Sequence, residues 1–318
     1  MVKILPIEER PPLVCYHHFA FWLSILLGNN KDRLNWVYST FLNLEWKNSN
    51  VLTFYNYESW GLGSTKALNT IYNGYPKTIL DTAYYNLIGV FEHLLDNRKY
   101  ITGTYNEYYI PCKNSYMNFD FDHNYLIYGY NQEKGIFHSI GYTKNMKYEP
   151  FVIAYNDFIS SQKNVTTNNF SFQIITENTD KQLNFSRLDF INRIKDYLCS
   201  QTLNSPSNIV GIKCKDEIIK YFGNIPVKDD NFIDIRICRV LLEHSNNIYN
   251  GLLLISANSA TDYFPVVNNT AIVHHLAMKY NCTYDPEIIK RIIVCCAEIK
   301  LLEETVLTKF LQQPFFRI

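Results

Sequence analysis

The sequence has no surplus of either charge. Its 318 residues include 30 Lys and Arg residues and 30 Asp and Glu residues, so the formal net charge is zero. A general nucleic-acid-binding protein needs a surplus of cations to neutralise phosphates, and we therefore predict no nucleic-acid partner. The sequence also lacks an unbroken apolar run near the ~18 residues that a membrane-spanning helix needs, so we predict no contact with a membrane.

Signals for secretion are missing as well. The longest early apolar run, Phe19–Leu27, has no basic flank before it and no small-residue cleavage site after it, which argues against a signal peptide. The eight cysteines are spread thinly over the chain without a Cys-x-x-Cys pair, unlike the short, disulfide-dense scaffolds of secreted proteins. We expect a reducing, cytoplasmic location.

Motifs for phosphate-bearing cofactors and for serine hydrolases do not occur. The sequence contains no Gly-x-Gly-x-x-Gly, no Gly-x-x-x-x-Gly-Lys-Ser/Thr and no Gly-x-Ser-x-Gly. The histidine pairs His17–His18 and His274–His275 occupy consecutive positions on predicted helices. Such side chains point about 100° apart and are poorly placed to bind one metal ion. We predict neither a metal nor a cofactor bound by this chain.

What the sequence does have is enough apolar content, 47% of its residues, for a sizeable core. In the first half, apolar periodicity predicts helices over Cys15–Leu27 and Thr82–Leu95, and helical continuation over Leu34–Trp46. The pattern then alternates with a period of two, which predicts antiparallel strands. These strands are Ile101–Ile110, Asn124–Tyr130, Ile136–Tyr142 and Phe151–Tyr155.

The second half is predicted to be mostly helical. Residues 159–169 are polar and resemble a linker. Beyond them a period near 3.6 residues predicts helices over Arg187–Leu198, Lys215–Phe222, Phe232–His244, Thr270–Tyr280 and Glu287–Leu311. Asp285-Pro286 is a typical start signal for the last of these. We therefore predict an α+β fold, with N-terminal helices packed on an antiparallel sheet in a domain over residues 1–160, and a helical domain over residues 161–318.

Two residues of the first half are candidates for chemistry. Cys15 is expected in the first turn of a helix, where the positive end of the helix dipole favours the thiolate. His123 begins a predicted strand. A cysteine and a histidine far apart in sequence can meet across a cleft between a helix and a sheet, as nucleophile and base.

The order of these features resembles the papain-like cysteine-peptidase fold. A closer likeness is to the butirosin-biosynthesis protein H-type family, relatives of the bacteriocin-processing peptidases. That likeness lies in the Cys15 helix, the stretch Lys99–Pro111, the strand His123–Asn131 with its Gly-Tyr step, and the return Phe137–Tyr142. It covers most of residues 10–160, and only the order of elements extends it over residues 170–318.

The resemblance implies an activity in natural-product biosynthesis. Members of that family take an acyl group from the phosphopantetheine thioester of an acyl or peptidyl carrier protein and pass it to an amine, forming an amide. Cys15 would then be the nucleophile and His123 the base. A thiol peptidase or amidase on the same fold is one alternative. A catalytically inactive papain-like module that binds a partner is another.

The residue that orients the histidine is not obvious in this sequence. Papain-like enzymes supply an Asn or Asp on the strand after the histidine strand. Here the best fit by spacing is Ser139, and Asn131 in the turn is a poorer fit. The Gln that donates to the oxyanion in such enzymes is also missing, since Glu8-Glu9-Arg10 stands in that region.

Overall fold

A computed structural model of the chain describes residues 1–47, 49–55, 68–166, 169–178, 182–200, 208–225 and 232–313. The strands are β1 (Val2–Ile4), β2 (Leu44–Lys47), β3 (Val51–Phe54), β4 (Leu68–Pro76), β5 (Tyr100–Asn106), β6 (Asp122–Asn131), β7 (Ile136–Tyr142), β8 (Tyr148–Ala154), β9 (Asn169–Glu177) and β10 (Ile209–Val210). The helices are α1 (His17–Asn29), α2 (Leu34–Thr40), α3 (Lys77–Asp96), α4 (Tyr155–Lys163), α5 (Arg187–Cys199), α6 (Cys214–Gly223), α7 (Ile235–Leu253), α8 (Ala257–Thr283) and α9 (Pro286–Leu311). Across these ranges, no helix has both the length and the apolar character of a membrane span.

The chain divides into two compact units. The first comprises Met1–Lys31 and Trp60–Gln182, and the second comprises Asp32–Ser59 and Leu183–Ile318. This division differs from the predicted boundary at residue 160 in two places. Strand β9 belongs to the first unit, and the segment that carries α2, β2 and β3 belongs to the second.

The first unit is built on an antiparallel sheet with the strand order β4-β9-β5-β6-β7-β8, and β1 pairs with the end of β6. Helices α3 and α4 pack on this sheet through phenylalanines that meet in tilted and edge-to-face contacts. The Phe91 ring of α3 lies 5.2 Å from Phe172 on β9, 5.9 Å from Phe137 on β7 and 5.4 Å from Phe158 on α4. These four phenylalanines therefore form part of the core of this unit.

Helix α1 is held beside the N-terminal segment by a glycine. A Cβ on Gly28 would lie 2.3 Å from the Ile7 Cα, so only glycine allows the incoming chain to run against this end of the helix. The Ser24 hydroxyl lies 3.0 Å from the Tyr148 hydroxyl of β8. Since the helix is fixed at these two points, the position of its first residue is fixed as well.

The second unit combines a small antiparallel sheet, in the order β10-β2-β3, with α2 and α5 to α9. The predicted start of the last helix is confirmed. The Asp285 side chain accepts a hydrogen bond from the Glu287 N–H at 2.9 Å, and Pro286 is the first helical residue.

The α+β class, the antiparallel sheets and the mostly helical C-terminal region are confirmed. Several predictions for single elements are wrong. The strand predicted over Ile101–Ile110 ends at Asn106 and is followed by a 3-10 turn over Glu107–Tyr109. The helix predicted to continue to Trp46 ends at Thr40, because Leu44–Lys47 pairs with β3 and β10 as strand β2. Within the polar stretch 159–169, predicted as a linker, residues 159–163 form the end of α4 and Asn169 is the first residue of β9.

Candidate active site

Cys15 lies immediately before helix α1 rather than in its first turn. The helix begins at His17, and Tyr16 is its N-cap residue, with extended backbone and no capping hydrogen bond from its side chain. Cys15 is buried, with 4% of its surface exposed. The Tyr142 hydroxyl donates to the Val14 carbonyl at 2.6 Å and so ties this segment to the end of β7.

His123 has a buried carboxylate behind its ring. It is the second residue of β6 and pairs directly with Tyr105 on β5. Strand β5 ends at the next residue, and the chain enters a 3-10 turn over Glu107–Tyr109. His123 Nδ1 lies 2.8 Å from Glu107 Oε1. The His123 side chain is 32% exposed, whereas that of Glu107 is 7% exposed.

Asn106 fixes the turn that presents Glu107. Its buried side chain accepts hydrogen bonds from the Tyr108 N–H at 3.0 Å and the Phe121 N–H at 3.3 Å. It donates to the Asp120 carboxylate at 2.7 Å and to the Asn164 carbonyl at 2.8 Å. Because four bonds hold this one side chain, the positions of the turn and of the loop after it are defined by Asn106.

Glu107 is ionised and fully bonded. The Ser115 hydroxyl donates to its Oε2 at 3.1 Å, and Lys113 Nζ lies 3.5 Å from its Oε1 while donating to the Tyr142 carbonyl. Burial acts to raise the pKa of Glu107, but the hydrogen bond from His123 and the charge of Lys113 outweigh it and hold the pKa below its usual value. An ionised carboxylate only accepts, so His123 Nδ1–H donates and Nε2 is the basic nitrogen.

His17 brings the first residue of α1 to the ring of His123. The two ring centroids are 4.4 Å apart, and His17 also stacks on Phe21 at 4.9 Å. Burial, followed by the charges of His123 and Lys113, lowers the pKa of His17 well below its usual value. His17 is therefore neutral at pH 7, and its buried Nε2 has no hydrogen-bond partner.

The contact between His17 and His123 also limits where Cys15 lies. Cys15 precedes His17 by two residues, which span at most about 7 Å between Cα atoms. The structure therefore brings the backbone of Cys15 into the neighbourhood of the histidine pair. A separation of about 3 to 4 Å between the Cys15 sulfur and a His123 nitrogen stays a prediction.

Ser139 is not the partner of His123 in this structure. It pairs with Ile127 across β6 and β7, four residues along β6 from His123, which corresponds to about 13 Å of strand. Its hydroxyl is fully buried and donates to the Leu126 carbonyl at 2.9 Å. Asn131 is farther along the same strand and accepts from the Lys134 N–H in the turn. Glu107 occupies the orienting position, so the assignment of that role to Ser139 is corrected.

Among the residues that the structure describes, the remaining chemical candidates give no second site in this unit. Burial raises the pKa of the Cys112 thiol, which disfavours its thiolate. None of the eight cysteines, all within the described ranges, forms a disulfide. Where the structure describes the chain, no group of three or more His, Cys, Asp or Glu side chains is placed to hold a metal ion.

Glu107 is not revealed by the patterns of the sequence. It lies in the stretch Lys99–Pro111, which carries part of the family resemblance, but it precedes the histidine, whereas the resemblance places the orienting residue after it. In the folded protein Tyr105 pairs with His123, and Glu107 lies two residues beyond Tyr105. A carboxylate just beyond the end of the neighbouring strand is thus a signal that strand register reveals and spacing after the histidine does not.

No protein-family model matches the chain, and no curated protein matches its sequence.

Proposed function

We propose that this chain is a papain-like, cysteine-dependent acyltransferase that forms amides. Cys15 is the nucleophile, His123 is the base, and Glu107 orients His123. The observation that carries the proposal is the 2.8 Å hydrogen bond between His123 Nδ1 and the buried Glu107 carboxylate. A carboxylate in this position fixes the tautomer of the histidine and stabilises the imidazolium formed when the ring takes a proton.

The surroundings of the pair support this assignment. Glu107 is held by Ser115 and Lys113 inside the first unit, whereas a third of the His123 side chain faces solvent. One side of the ring is therefore fixed by protein, and the other is open to a substrate. Because the pKa of His17 is held well below its usual value, His17 does not compete with His123 for the proton.

The proposed reaction has two steps, acylation of Cys15 and transfer of the acyl group to an amine. The Cys15 thiol gives its proton to His123 Nε2, and the sulfur attacks the carbonyl of a phosphopantetheine thioester. The bond from the carbonyl carbon to the pantetheine sulfur breaks, and the leaving thiolate takes the proton from His123. An amine then attacks the acyl-Cys15 carbonyl, His123 takes the amine proton, and the Cys15 thiolate leaves and is reprotonated.

Backbone N–H groups at the start of α1 are the proposed donors to the oxyanion. A helix N-terminus favours negative charge, and this one directly follows the nucleophile. The proposed partners are an acyl or peptidyl carrier protein, which supplies the phosphopantetheine, and a small amine. The proposed compartment is the reducing cytoplasm, in keeping with eight cysteines that form no disulfide.

The proposal is tested by trapping the acyl-enzyme. Incubation with an acyl-loaded carrier protein should add the acyl mass to Cys15, and an amine acceptor should discharge the adduct faster than water does. Cys15→Ala should abolish the adduct, and His123→Ala should slow its formation by on the order of a hundredfold or more. Glu107→Gln should slow it by on the order of tenfold to a hundredfold, because an amide does not stabilise the imidazolium.

Cys112→Ala is the matched control, since it removes a nearby thiol that has a raised pKa and should leave the adduct unchanged. An adduct that hydrolyses at the same rate whatever amine is supplied would instead identify a thiol peptidase or amidase. If no acyl donor yields an adduct while a carrier protein still binds, the chain is an inactive binding module.

A further inference from the structure

A cluster of exposed apolar side chains lies in the loop that follows the Glu107 turn. Within six consecutive residues, the exposed fractions are 40% for Tyr116, 69% for Met117, 50% for Phe119 and 45% for Phe121. We call the segment 116–121, which carries these four side chains, the apolar loop. Single exposed apolar residues are ordinary on a protein surface, but a contiguous group of large ones marks a binding surface.

The apolar loop is held in place by hydrogen bonds rather than by its own packing. The Phe121 carbonyl accepts from the Glu107 N–H at 2.8 Å, and the Met117 N–H donates to the Tyr108 carbonyl at 3.0 Å. The Phe121 N–H donates to the Asn106 side chain. The backbone of the loop is thus fixed by the same residues that position Glu107, while its side chains remain exposed.

The apolar loop is continuous with the candidate active site. The Phe121 ring lies 5.2 Å from the His123 ring, and the Phe119 ring lies 6.4 Å from that of Phe121. A row of apolar side chains therefore leads outward from the proposed base. A group attached to the carbonyl that reacts beside His123 has this row within reach, because the base must lie within hydrogen-bonding distance of the reacting atoms.

We propose that the apolar loop binds the acyl group of the donor, and that this group is a large apolar one, either a medium-length alkyl chain or an aromatic acid. This inference rests on the proposed function, because it assigns the substrate class of the same site. An acetyl group is too short to extend from His123 to Phe119. Burying apolar atoms of a longer group against exposed side chains favours its binding in rough proportion to the area removed from water.

Two measurements test the assignment. The first compares the rates at which the acetyl, octanoyl and phenylacetyl thioesters of N-acetylcysteamine acylate Cys15. Acylation is monitored by intact-protein mass spectrometry. The octanoyl and phenylacetyl donors should react faster than the acetyl donor by on the order of tenfold to a hundredfold. The double variant Met117→Asn with Phe119→Ser should lose this preference and react with all three donors at similar rates, because it removes two of the apolar side chains that would contact a long acyl group.

The matched control is Met146→Asn. Met146 is also an exposed methionine of the first unit with left-handed backbone, φ 56° against 52° for Met117, and it lies in the turn between β7 and β8. Asparagine tolerates this backbone region, so both substitutions are compatible with folding. Met146→Asn should leave the preference for a large acyl group unchanged.

The second measurement does not depend on acylation. The chain has four methionines, so ¹³C-methyl NMR of the Cys15→Ala protein gives few signals, which Met117→Asn and Met146→Asn assign. The octanoyl amide of cysteamine should shift the Met117 methyl signal and leave that of Met146 in place.

The outcomes separate the two proposals. Equal acylation by all three donors would overturn the acyl-group assignment and leave the acyltransferase standing. A shift of the Met117 methyl signal without acylation by any donor would support the binding of an apolar ligand and would overturn the proposed acyltransferase activity. The absence of both a Met117 shift and a rate preference would overturn the assignment.

Discussion

Each unit of the protein contains a buried glutamate with a lysine and a histidine beside it. In the first unit, Glu107 has Lys113 at 3.5 Å and His123 at 2.8 Å. In the second, Glu303 has Lys215 at 2.6 Å and His244 at 3.8 Å. The residue types are the same, so composition alone does not separate a candidate active site from a structural cluster.

What separates the two clusters is access to the histidine. His123 is 32% exposed, whereas His244 is fully buried and its Nε2 bonds to the Leu42 carbonyl at 2.9 Å. The hydroxyls of Tyr197 and Tyr263 also donate to Glu303. Every residue of this cluster is buried, and we call it the closed cluster. A base needs a ring nitrogen that a substrate can reach. We therefore interpret the Glu303 cluster as structural and the Glu107 cluster as the site of chemistry.

The largest expected effect comes from removing the lysine of the closed cluster. Lys215→Met should lower the free energy of unfolding by about 3 to 5 kcal/mol, because it leaves Glu303 as a buried charge without its closest cation. Lys113→Met should cost less, since solvent-accessible His123 remains at 2.8 Å from Glu107 and can take a proton. Urea unfolding followed by circular dichroism measures both. Equal losses would contradict the distinction between a closed and an open cluster.

The second largest effect is expected from acid, which should lower the free energy of unfolding through His244 of the closed cluster. Burial lowers the pKa of His244 to about 4, against an ordinary value of about 6.5 in the unfolded chain. Above pH 6.5 the ring is neutral in both states and has no effect. As the pH falls from about 6.5 to about 4, only the unfolded state takes up the proton, so the free energy of unfolding decreases by about 3 kcal/mol.

His244→Gln should flatten this pH dependence when unfolding is measured by urea titration between pH 8 and pH 4. The slope should not vanish, because burial also lowers the pKa of His274 to about 4 and acts in the same direction. The variant measured at pH 8 is the internal control, since it reports the packing change alone. An unchanged slope in the variant would show that His244 is not the group responsible.

The comparison also shows which features the sequence could reveal. Periodicity predicted β7 to the residue, and it predicted every long helix of the second unit in part, because local apolar spacing determines both. Strand β2 was missed although its hairpin with β3 is local, because apolar residues at helical spacing continue from α2 to Leu44 and favour a longer helix. The whole of strand β9 was missed, because its pairing with β4 and β5 joins positions far apart in the chain.

Neither glutamate cluster could be assembled from local patterns. Lys215 and Glu303 each lie among other charged residues on two separate amphipathic helices, where such residues are usually solvated. Glu107 required the register between β5 and β6, which a one-residue shift would alter. Cys15 and His123 could be proposed from the sequence because reactive residue types near the start of a predicted helix and a predicted strand are visible without register.

The smallest expected effect concerns Ser139, and it tests the position given to Glu107. The Ser139 hydroxyl donates to the Leu126 carbonyl in a fully buried part of the sheet. Ser139→Ala should therefore lower the free energy of unfolding by about 1 kcal/mol, the typical value of one such bond. The rate of acyl-Cys15 formation should stay within about twofold of the parent rate, because the residue lies about 13 Å along the sheet from His123. Parallel urea titration and acylation assays on Ser139→Ala and Glu107→Gln make the contrast direct. A larger rate loss in Ser139→Ala than in Glu107→Gln would return the orienting role to the strand after the histidine and would remove the main support for Glu107.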